Sequence, residues 1–114
     1  MSHRRAILEM GAGTDLHGKD YTKAAVRAVN DALHHSSLTF IRTLGLDPDS
    51  VQVLVTIGVA APEKVDPAPI KAAFPIGQVT INVVHGGLDV PDDERDDTAV
   101  IASAAIDVRI ESPL

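Results

Sequence analysis

The chain predicts a single α+β domain: a mixed four-stranded sheet in the order β-α-β-α-β-β, with its helices on one face. Three observations carry this. A long segment, about 20–44, has its apolar residues at helical spacing. Short Val/Ile-rich runs at 51–59, 79–85 and 98–110 read as strands. The length of 114 residues suits one domain, and 45% hydrophobic residues with only 3% aromatics require a core of Val, Ile, Leu and Ala.

Residues 5–10 (Arg5-Ala6-Ile7-Leu8-Glu9-Met10) form the first predicted strand. Asp20 then caps a helix, because its carboxylate can accept from the exposed N–H groups of the first turn. Val26, Val29, Leu33, Phe40 and Leu44 line the apolar side of that helix, Ser36 falls on the same stripe, and Gly45 ends it in a left-handed cap. Asp47-Pro48-Asp49-Ser50 is a turn. The second strand follows at 51–59. Pro62, Pro67, Pro69 and Pro75 punctuate the next stretch, which leaves room for a short helix from Asp66, as cap, to Phe74, with Pro67 at its first position. The third strand is 79–85, a loop spans 86–97, and the fourth strand is 98–110. A strand–helix–strand unit favours a crossover between parallel strands. The last two strands are expected to pair as an antiparallel hairpin.

The fourth strand says more. Val100, Ala102, Ala104, Ile106 and Val108 share one face, while Ala99, Ile101, Ser103 and Ala105 share the other. Both faces are apolar through its middle, yet one long and one short helix can cover only one side of a sheet. The other side needs a cover from outside the chain, and a second copy is the simplest one. A homo-oligomer is therefore expected.

Composition narrows the function classes. Ten Lys and Arg against sixteen Asp and Glu give a net charge of −6, with no basic cluster to hold phosphate backbones, so nucleic acid is not an expected partner. There is no cysteine, hence no disulfide and no thiolate metal site. The apolar run before Glu9 is too short for a signal peptide or a membrane span, which makes a cytoplasmic location the expectation.

The candidate site is the run from Gly11 to Asp20, read as a glycine-rich loop between the first strand and the long helix. Such a junction lies at one mouth of a sheet, where ligands bind in α/β proteins. Gly13 to Lys19 follows a phosphate-loop pattern, but Asp20 stands where Ser or Thr should hold magnesium, and Asp15 would repel phosphate. The dinucleotide fingerprint fails at Leu16. An acid–base or metal site fits better. His17 can exchange a proton near neutral pH, with Asp15 orienting it or sharing a metal, and His85 or Glu9 as a further ligand. Lys19 and Lys23 would hold an anionic group beside the helix N-terminus. Gly11, Gly13 and Gly18 would shape the loop. The plainer alternative is a tight turn in which Asp15 bonds its own backbone and His17 is solvated. Ser36 is a weaker candidate, a nucleophile near Lys23 or His17, since such serines often bond back along the helix. His34 and His35 diverge on the helix. The acidic segment 89–97 does not match a calcium loop.

The pattern G-x-G-x-D-x-H-G, here Gly11, Gly13, Asp15, His17 and Gly18, resembles the signature of a family of short uncharacterised bacterial proteins known as conserved hypothetical. So do the stretch from Asp20 to Val29, Gly58-Val59, the stretch from Glu63 to Asp66, and Gly86-Gly87-Leu88. The resemblance implies one compact domain spanning residues 1–114 and points to the same loop, without supplying a reaction.

Two functional readings follow. One is a protein that binds a small polar molecule at Asp15 and His17, as a small hydrolase or isomerase. The other is a non-catalytic module, ligand-sensing or structural, whose working surface is the apolar sheet face. Convergence of Asp15, His17 and His85 or Glu9 on one cavity favours the first; their separation favours the second.

Overall fold

The computed structural model describes residues 3–34, 43–74 and 77–111. The elements are β1 (His3–Asp15), α1 (Tyr21–His34), β2 (Gln52–Val59), α2 (Pro67–Lys71), β3 (Gln78–His85), β4 (Leu88–Asp92) and β5 (Asp97–Glu111). The class is α+β, as predicted. The strand count and order differ from the expectation: the sheet has five strands, in the order β1-β5-β2-β3 with β4 also paired to β5.

The predicted hairpin between the last two strands does not form. Instead β5 inserts between β1 and β2, antiparallel to both, and β3 lies at the far edge, parallel to β2. This suits β5, since a strand apolar on both faces gains most from a central position.

The expected loop 86–97 contains β4. After β3 the chain passes the end of β2 at Gly58 and returns along the edge of β5 that β2 leaves free. Thus β2 pairs with residues 103–109 of β5, and β4 with residues 97–101. Its acids and Pro91 hide β4 from a pattern reading. The proline is tolerated because β4 has a neighbour on one side only.

The helices begin as their sequences demand. The Asp20 carboxylate accepts from the Lys23 N–H at 3.0 Å, capping α1. The Asp66 carboxylate accepts from the Ala68 N–H at 3.0 Å, with Pro67 at the first position of α2. Gly45 is left-handed (φ 66°), as the predicted cap requires. The predicted helix over 35–42, with His35, Ser36 and Phe40, lies outside the described residues.

The core sits between the helices and one sheet face. Val53, Val55, Ile57 and Val59 of β2 meet Ala102, Ala104, Ile106 and Val108 of β5 and the buried side of α1. Over β1 the helix comes closest. A Cβ on Gly11 would collide with the backbone of Ala28 and Ala32, and one on Gly13 with that of Ala24 and Ala28. Alternate glycines on the strand and alanines one turn apart on α1 let the two backbones touch.

The opposite face of the sheet has no covering element among the described residues. Among the described residues eight large hydrophobic ones are exposed, and the register places six of them on this face: Leu8, Met10, Leu54, Val84, Leu88 and Val90. Met10 is 67% exposed and Leu88 56%. Between them run Ala12, Ser103, Gly58 and Ala105, a low strip of small residues. Charge enters toward the two ends: at one, Asp107 is held by Arg5 and Arg109 at 3.1 Å each, and at the other Asp92 and Asp97 lie beside Arg95 and His17. No helix among the described residues is long and apolar enough to cross a membrane.

Candidate functional site

The junction of β1 and α1 divides the predicted site into parts with separate jobs. Strand β1 runs through Gly11 and Gly13 to Asp15, so the loop is only residues 16–20. Gly11 and Gly13 are strand residues packed under α1, a correction to their reading as loop. A period-two glycine pair on a strand and a glycine loop look alike in sequence, and the helix alanines decide between them.

Asp15 is 4% exposed. Its Oδ2 accepts from the Asp20 N–H at 2.9 Å, and its Oδ1 lies 3.6 Å from Arg27 Nη1. Arg27 also donates to the Thr14 carbonyl at 2.6 Å. Asp15 therefore closes the loop and supports the start of the helix. Gly18 (φ 90°) and Lys19 (φ 51°) turn the chain through left-handed conformations, and the Lys19 and Lys23 side chains stand in solvent.

His17 meets a different acid. Its Nδ1 lies 2.8 Å from Asp97 Oδ2 at the start of β5. That bond, with the Thr98 N–H donating to Asp97 at 2.8 Å, holds the Asp97 carboxyl below the usual carboxylate range. Leu16, Val90, Pro91, Thr98 and Ala99 complete an open cavity of about 240 Å³ around the pair. The His17 side chain is 73% exposed, so water reaches the imidazole.

A second pair went unnoticed in the sequence. Tyr21, the first residue of α1, donates to Asp89 Oδ2 at 2.5 Å. Burial, then this bond, push the phenol up to about 12. The other Asp89 oxygen is buried without a partner among the described residues. Lys64 Nζ lies 5.9 Å from the Tyr21 ring centre, within cation–π range. The register sets Asp15, Val100 and Asp89 in one row across β1, β5 and β4, beneath the helix start. The available signal was the chain's single tyrosine on a buried helical face, where a hydroxyl needs a partner.

His85 and Glu9 stand apart from this corner. Glu9 lies opposite Ile106, six residues along β1 from Asp15, ~20 Å in an extended strand. His85 pairs with Val59 and lines a shallow depression over Gly58 and Ser103 with Met10 and Val84. Among the described residues, no three His, Asp or Glu side chains gather as a metal ion would require. The corner thus holds a buried carboxylate that serves the fold, a buried Tyr–Asp pair, and one exposed His–Asp pair able to exchange protons with solvent.

This is a two-layer α+β domain in which one face of the sheet has no cover among the described residues. The chain belongs to the conserved hypothetical protein family Lin0512_fam, which matches residues 5–108. It is also similar to the crystal structure of an FtsZ-like protein of unknown function from Nostoc punctiforme PCC 73102. The two are 37% identical with a TM-score of 0.84, over 98% of this chain and 99% of the other. No curated protein matches the sequence.

Proposed function

We propose that this protein is a non-catalytic module that works by self-association through the bare face of its sheet. One observation carries the reading: of the eight exposed large hydrophobic residues among those described, six lie on that single face, around a floor of small residues. Contiguous apolar surface of this kind is rare on monomers and marks an interface. The charged groups lie toward the two ends of the face, each with a partner within the chain, so a second copy meets an uncharged centre. The Nostoc protein is itself of unknown function, so the similarity brings a fold and no reaction.

Light scattering at micromolar concentration tests this. The wild-type mass is expected to exceed that of one chain, and Leu54→Asp, at an exposed site, to reduce it without unfolding. A wild type with the mass of one chain overturns the reading.

A second reading rests on the His17–Asp97 pair. An imidazole held at Nδ1 by a carboxylate presents Nε2 to a ligand, the arrangement used by general bases. In this reading a small polar molecule binds in the cavity beside Val90, with His17 exchanging the proton. Lys19 and Lys23 lie near in sequence to draw in an anion, and Asp15 keeps the loop shaped. A thermal-shift screen of small metabolites tests it: a hit must weaken in both His17→Ala and Asp97→Asn.

A further inference from the structure

The outer edges of β1 and β3 differ. The β1 edge is sealed: the Ala12 N–H donates to Asp31 Oδ2 at 2.9 Å, the Thr14 carbonyl accepts from Arg27, and the ladder is irregular between Arg5 and Ile7. Strand β1 also carries Arg4, Arg5 and Glu9. These are the devices that keep an edge from recruiting another strand.

The β3 edge has none of them. Its eight residues, Gln78 to His85, include no Asp, Glu, Lys, Arg or proline, and their pairing with β2 is unbroken. The Gln78 N–H donates to Val51 and the Gly86 N–H to Val59, so the even-numbered residues turn their backbone groups toward β2. Strand alternation then turns those of Val79, Ile81, Val83 and His85 outward. Among the described residues no group bonds to them. Four consecutive outward N–H and C=O sets form a template for an added strand.

From this geometry we infer that β3 pairs antiparallel with β3 of a second copy, joining two sheets into one of ten strands. The strand suits its own image. A two-fold axis at Ile81 sets Ile81 against its equivalent and Val79 against Val83, on the helix side. Thr80 then meets Asn82 on the bare side. Each opposed pair lies on one face and carries no charge to repel. The joined sheet also makes the bare faces of the two copies continuous. This contact involves other atoms than the face-to-face association proposed above, so either can fail without the other.

The chain contains no cysteine, which makes cross-linking a clean test. Thr80 and Asn82 are exposed, and in this register they form a pair without mutual hydrogen bonds, where Cα atoms approach ~4.5 Å and a disulfide can close. Thr80→Cys and Asn82→Cys chains, mixed and oxidised, are expected to give a covalent heterodimer, while neither variant alone cross-links to the same extent. Adding Met10→Asp, on the distant strand β1, to both chains should leave the yield unchanged, because it acts on the face contact only. In the wild type, hydrogen exchange should show the Ile81 and Val83 amides protected and losing protection on dilution. No enrichment of the mixed disulfide, outward amides that exchange freely at every concentration, or a wild type with the mass of one chain overturns the inference.

Discussion

Tyr21 donates its hydroxyl to Asp89 across 2.5 Å, joining the first residue of α1 to a strand 68 positions away. The bond ties β4 to the helix layer and gives one buried carboxylate oxygen its partner. Removing the hydroxyl leaves both Asp89 oxygens without a partner among the described residues. Tyr21→Phe is therefore expected to cost about 1–3 kcal/mol, read from urea denaturation at neutral pH.

The same bond makes stability depend on alkaline pH. The phenol titrates at about 12 in the fold against an ordinary value near 10, so the fold favours its neutral form. The contribution is complete below pH ~10 and is lost as pH rises toward ~12. Denaturation midpoints over that window should fall more steeply for the wild type than for Tyr21→Phe. Equal slopes would show that Tyr21 is not the group responsible.

Asp97 gives the acid-side counterpart. Its folded value lies below the unfolded one, chiefly because of the His17 bond. The stability it adds is present above the ordinary carboxylate range and is lost as pH falls through the lowered value. Carbon-detected NMR titration should find Asp97 titrating below the ordinary carboxylate range, and moving back toward it in His17→Ala.

Gly13→Ala and Gly11→Ala are expected to be among the most damaging single substitutions in the chain. The added methyl meets helix backbone, which cannot rotate away as a side chain can. Each should cost about 3 kcal/mol, visible as a lower thermal midpoint and weaker protection of α1 amides.

The motif residues should separate by role. Asp15→Ala removes a buried acceptor from the Asp20 N–H and a counter-charge from Arg27, and is expected to cost about 1–3 kcal/mol. His17→Ala, at an exposed side chain, should shift the denaturation midpoint much less. A destabilisation of His17→Ala equal to that of Asp15→Ala would put both in one structural unit.

What the sequence determined by itself was local or periodic. Asp20 and Asp66 cap helices because a carboxylate reaches only its own first turn, so spacing suffices. The bare face was legible in β5, where two alternating apolar sets were counted against too few helices to cover them. The tertiary structure decided the rest, because it rests on contacts between distant segments. No local pattern tells whether β5 lies beside β3 or between β1 and β2, since each strand offers the same backbone groups to any neighbour. His17 meets Asp97, 80 positions away, rather than Asp15, two positions away, because Asp15 turns under the helix while the loop carries His17 outward to β5. Gly11 and Gly13 read as a loop until the alanines of α1 were seen lying on them. The closeness of two backbones is a property of the packed pair, and neither segment states it alone.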